Sequence, residues 1–174
     1  MPLIGHCRAD YHPAMNDDAL ADLAEELVTR PFPDGPAHDS SSLDGSTQSG
    51  PEAHFVPIAM QESLYETPAD YDGSIGELYD DVYDEFEQRR LRAAAVLAAR
   101  WGSPQPYSFQ AELERVMAND DSVSMLDYDL ALFTSGEQFP AWRRGDRIVG
   151  LLLGQMDKEF PIVLTLAVIA RPPS

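Results

Sequence analysis

Two runs near the C-terminus, Ile148 to Gln155 and Ile162 to Ile169, are apolar on both of their alternating faces. In the first, Val149, Leu151 and Leu153 share one face while Ile148, Gly150, Leu152 and Gly154 share the other. In the second, Ile162, Leu164, Leu166 and Val168 oppose Val163, Thr165, Ala167 and Ile169. A sheet with one wet face keeps a polar–apolar alternation, so strands without one are buried on both sides. The pattern predicts a central hairpin closed by the polar loop around Asp157, Lys158 and Glu159. Pro161 suits the first residue of the second strand, where a missing N–H does least harm. Gly150 and Gly154 leave room for a close approach on one face, most simply by a helix packed on the sheet.

The remaining elements are read outward from that hairpin. Asn16 to Arg30 is a helix: Asn16 or Asp17 caps it, acids fill its first turn, Leu20, Leu23, Ala24 and Leu27 form a stripe, and Pro31 ends it. Residues 31–51 are rich in Pro, Gly, Ser and Asp and bury too little to offset ordering entropy, which predicts a mobile linker or surface loop. His54 to Gln61 has strand character, and Pro57 places it at a sheet edge. Ser74-Ile75-Gly76-Glu77 has the form of a capping box and opens a long helix to Trp101, stopped by Gly102 and Pro104. Ser108 caps a shorter helix. Leu126, Tyr128, Leu130 and Leu132 alternate with Asp127, Asp129 and Ala131, the pattern of a half-buried strand. Phe139 to Arg144 is another strand, turned by Arg144-Gly145-Asp146 into the hairpin. The sum is an α+β fold, an antiparallel sheet of about four to five strands with a C-terminal meander, packed by two to three helices. It divides into an N-terminal segment with a helix (1–30), the linker (31–51) and the α+β part (52–174), together one domain.

Charge changes the picture. The chain of 174 residues has a formal net charge of -18, unevenly spread. Residues 1–50 hold nine acids and two arginines, 51–88 hold eleven acids and no base, and 89–174 hold ten of each. A field of this sign repels nucleic acid and anionic membrane and steers basic partners toward the acidic half. No apolar stretch is long enough for a membrane span, and no basic flank precedes an apolar run at the N-terminus. With Cys7 the one cysteine, an internal disulfide framework is excluded, and the expected compartment is the cytoplasm. Lys158 is the one lysine among twelve basic residues, an arginine bias associated with high-GC bacterial genomes.

The window from Glu62 to Glu87 holds ten acids, no base and four tyrosines. Like charges so concentrated repel one another unless something cationic answers them. Carboxylates pair bidentately with arginine, and tyrosine supplies anchoring area, so the expected partner-binding residues are Asp70, Asp72, Tyr79, Asp80, Asp81, Tyr83, Asp84, Glu85 and Glu87. A calcium loop starting at Asp70 fails, because Ile75 stands where the sharp turn needs glycine. His6, Cys7, Asp10 and His12 are potential metal ligands, but zinc ligands come as spaced pairs and a second pair is lacking nearby. No phosphate loop, G-x-S-x-G elbow, H-E-x-x-H or G-x-G-x-x-G is present, so no catalytic residue, metal or cofactor is expected and the chain reads as a non-enzyme.

Trp101-Gly102-Ser103-Pro104, Trp142 to Arg147 and Gln155 to Pro161 together resemble small acidic cytoplasmic proteins of high-GC bacteria, of toxin-immunity type. The resemblance covers the C-terminal half and implies no functional residue. The expected function is an acidic module that captures a basic protein, as an immunity protein or inhibitor of a nucleic-acid-cleaving toxin. It would touch neither nucleic acid nor membrane directly. A structural or adaptor subunit, self-associating as a homo-oligomer through an apolar sheet face, and a hydrolase or transferase without a legible motif are the alternatives.

Overall fold

The hairpin predicted from two-sided apolarity is the centre of the molecule. The structure, a computed structural model, describes residues 15–35, 47–64 and 75–170. Its elements in chain order are α1 (Asp17–Thr29), β1 (Gln48–Gly50), β2 (Ala53–Gln61), α2 (Gly76–Trp101), β3 (Gln105–Ser108), α3 (Gln110–Met117), α4 (Met125–Phe133), β4 (Gln138–Arg144), β5 (Arg147–Gly154) and β6 (Ile162–Ile169). They form an α+β fold with one six-stranded antiparallel sheet, ordered β1-β2-β6-β5-β4-β3. Strands β3 to β6 are the C-terminal meander. Every residue of β6, and of β5 from Ile148 onward, is buried.

Helices cover both faces. On one, Val149, Leu151, Leu153, Leu164 and Leu166 pack with Leu20, Ala24 and Leu27 of α1 and Phe86, Ala93 and Leu97 of α2. On the other, Ile148, Leu152, Ala167 and Ile169 pack with Phe109, Leu126 and Leu130 of the α3–α4 layer. The two glycines of β5 serve this second face. A Cβ on Gly154 would lie 2.6 Å from the Phe133 carbonyl at the end of α4, the helix approach that the sequence predicts. On Gly150 it would lie 2.5 Å from the Phe139 ring, so there the neighbour is a side chain rather than a helix.

Four sequence expectations are corrected. The run Leu126 to Leu132 is helical: Ser124 Oγ accepts from Asp127 N at 3.1 Å, and Leu126 and Leu130, one turn apart, are both buried. Tyr128, which a strand would have buried beside them, is 49 % exposed. β2 is an interior strand between β1 and β6, and Pro57 is tolerated because it lies past Phe55, the last partner of β1, at a register shift between Pro57 and Ala59. Gln48–Gly50, placed in the linker by composition, forms β1. Ser108 belongs to β3, and Phe109 takes the cap position of α3 without a side-chain bond. At the start of α2 the cap position is Ile75, with no side-chain cap bond, while Ser74 lies outside the described residues.

A charged side chain of β5 fastens the C-terminus of α1 to the sheet. Arg147, the first residue of β5, donates from Nη1 to the carbonyls of Leu27 at 3.0 Å and Arg30 at 2.6 Å. Its guanidinium lies 4.1 Å from the centre of the Phe32 ring. A cation there meets the negative end of the helix dipole.

Candidate functional site

Helix α2 carries the acidic residues singled out by sequence, and its packing decides which of them face outward. Phe86, Ala93 and Leu97 are buried, and Tyr79, Val82 and Tyr83 pack half-buried against the same apolar cluster. The opposite side is then fixed by the helical period: Glu77, Asp80, Asp81, Asp84 and Gln88 fall on one stripe, and all are exposed. Leu78 and Leu91, 51 % and 54 % exposed, flank it.

Position along the helix separates acids with a structural reason from acids without one. The dipole rewards negative charge within the first turn only, where Glu77 is the acid. Further on, Glu85 pairs with Arg89, and Glu87 with Arg90 at 2.6 Å. Asp80, Asp81 and Asp84 form no hydrogen bond or ion pair among the described residues. They also stand in like-charge pairs one turn apart: Glu77 with Asp81, Asp80 with Asp84, and Asp81 with Glu85. Each such pair costs a helix about 0.2–0.5 kcal/mol. The stripe therefore loses on the order of 1 kcal/mol, with no cation among the described residues paired to Asp80, Asp81 or Asp84. Carboxylates held this way accept from guanidinium or ammonium groups, bidentately in the first case.

The structure thus brings together Asp80, Asp81, Asp84 and Glu85 on one face. It sets Glu87 on the flank, bonded to Arg90, and turns Tyr79 and Tyr83 inward, 6.0 Å apart, where they brace the helix. Asp70 and Asp72 lie outside the described residues.

A second polar group was not legible in the sequence. Ser49 Oγ and His54 Nδ1 are 2.7 Å apart, and His54 Nε2 is 3.4 Å from the Arg30 carbonyl. Because a carbonyl only accepts, Nε2 is assigned the proton and Nδ1 takes the serine hydroxyl's. This is the donor order of a nucleophile and its base, but the imidazole is 1 % exposed, with the Phe32 ring 4.8 Å away. Burial, reinforced by the charges of Arg30 and Arg147, holds its pKa below the ordinary value. The group works as a clasp between α1 and the β1–β2 hairpin. Sequence carried no signal for it, since the carbonyl comes from a different element.

Among the described residues no three His, Cys, Asp or Glu side chains converge to hold a metal ion, and His6, Cys7, Asp10 and His12 lie outside them. No helix among the described residues is long and apolar enough to cross a membrane. The chain matches no protein-family model, no curated protein and no solved structure.

Proposed function

We propose that this protein is an acidic binding module that captures a basic protein on the outer face of α2. Its most concrete form is an inhibitor or immunity protein that fills the cationic groove of a nucleic-acid-cleaving toxin. The observation that carries this reading is the trio Asp80, Asp81 and Asp84: exposed, lacking a cation among the described residues, and mounted on a helix whose other side is locked in the core. Carboxylates spaced along a rigid helix would take the places of phosphates, so inhibition would be competitive with nucleic acid and weakened by salt. Both sides of β5 and β6 are covered by helices, which directs the search for a partner to α2 rather than to a bare sheet face.

The test is capture from the source organism's lysate on immobilised protein, at low and high salt, beside the variant Asp80→Asn/Asp81→Asn/Asp84→Asn. A basic protein that is retained at low salt, released at high salt and missed by the variant supports the reading. Retention indifferent to both the substitutions and salt refutes it.

A further inference from the structure

Where α2 ends, the chain turns at Gly102 and runs into edge strand β3, and between that strand and the start of the β4–β5 hairpin lies a cavity of about 340 Å³. Trp101, Pro106 and Tyr107 give it accessible apolar and aromatic surface, the buried Ala141 and Ile148 reach it only marginally, and Gln105 adds an amide. Among the described residues its one charged lining residue is Arg143, and none of them that lines it is an aspartate or glutamate. In a chain of net charge -18 this is a concave place with the opposite sign. Arg143 is exposed and bonds through Nε to the Gly145 carbonyl at 3.2 Å, leaving its terminal nitrogens with no bond among the described residues.

The walls are held in place before any ligand arrives. Trp142 Nε1 donates to the Gly102 carbonyl and Trp101 Nε1 to Glu25 Oε1, both at 2.7 Å, and the two indoles meet edge-on at 6.2 Å. Tyr107 stacks on Phe139 at 5.0 Å. A preformed pocket spends little on ordering itself around a ligand. For scale, a dry cavity of about 150 Å³ accommodates benzene.

We propose that this cavity binds a small planar arene of about two rings bearing one carboxylate. The rings lie against Trp101, Pro106 and Tyr107, and the carboxylate meets the free edge of the Arg143 guanidinium. The proposal is independent of the acidic face of α2.

The chain's two tryptophans both line the cavity, so their indole N–H resonances report its occupancy. Titration of the full-length protein with 1-naphthoate should shift both signals saturably. The neutral isostere 1-naphthamide should bind about tenfold more weakly, the size of one charge-assisted hydrogen bond. Arg143→Gln should abolish that preference, whereas Arg92→Gln, an equal change of net charge elsewhere, should preserve it. No saturable shift at either indole, equal affinity for acid and amide, or equal weakening by the two arginine variants would each overturn the proposal.

Discussion

Replacing Arg147 by Met keeps an unbranched apolar stem and removes the guanidinium, which tests its share in fastening α1 to the sheet. Two hydrogen bonds from a charged donor are lost, at 3.0 and 2.6 Å, together with the contact over Phe32 at 4.1 Å. Bonds to charged groups contribute about 1.5–3 kcal/mol each and an exposed cation–π contact about 0.5–1. The Arg30 carbonyl lies on a half-exposed residue and regains water, whereas the Leu27 carbonyl belongs to a buried one. The lower part of the range therefore applies, and the expected loss is about 3 kcal/mol. In a chain of this length that lowers Tm by roughly 6–12 °C. Urea unfolding of Arg147→Met beside the parent should show a lower midpoint at unchanged slope. Arg143→Met, which loses one exposed bond to Gly145, should stay within about 0.5 kcal/mol. The same substitution has a second readout, because the Arg147 charge is one cause of the lowered His54 pKa and its removal should raise the imidazole's midpoint. A loss under about 0.5 kcal/mol would refute the reasoning, since water would then satisfy these carbonyls as well as the guanidinium does.

Other substitutions probe the layers separately. Gly154→Ala forces a Cβ against the backbone of Phe133 and Thr134 and should cost about 1–3 kcal/mol, whereas Gly76→Ala, with open space around its Cβ, should be neutral or stabilising by about 0.4–1 kcal/mol; chemical denaturation measures both. Ser124→Ala removes the cap of α4 and should cost about 1 kcal/mol, read in the same way. His54 gives the pH dependence. Its folded pKa lies below the ordinary 6.5, so the unfolded chain binds the proton first and stability, full above that value, falls as pH drops from 6.5 to the folded midpoint. The difference in urea midpoint between the parent and His54→Gln should shrink over that window, and a constant difference would contradict the assignment.

The β5–β6 hairpin was legible because burial on both sides erases the period of two, and no other signal in the chain says so much with so few residues. α4 was misread because Leu126 and Leu130 satisfy both the strand and the helix periods over so short a run. Ser124 and Asp127, three apart ahead of an apolar stretch, were the evidence for a helix. β1 is Gln-Ser-Gly, and Pro106 sits within β3, so neither edge strand has a pattern to detect. The acids of α2 were visible as composition. Which of them lack partners among the described residues depends on the phase of the helix relative to Phe86, and that same phase turns Tyr79 and Tyr83 toward the core. The Arg143 cavity joins residues 101–107 to 141–148 and exists only once β3 pairs with β4.

The acidic face and the cavity sit toward opposite ends of one helix, and this makes them separable. From Asp84 to Trp101 the rise along α2 is about 26 Å, whereas charges in solution at physiological salt are screened over about 8 Å. Asp80, Asp81 and Asp84 should therefore neither repel an anion from Arg143 nor attract it. Neutralising the three aspartates should weaken capture of a basic protein, relieve the repulsion along the stripe, and leave 1-naphthoate affinity unchanged. A naphthoate affinity that rose with the triple variant at physiological salt would mean that the two surfaces are coupled through α2 itself, since the screened field is too short to join them.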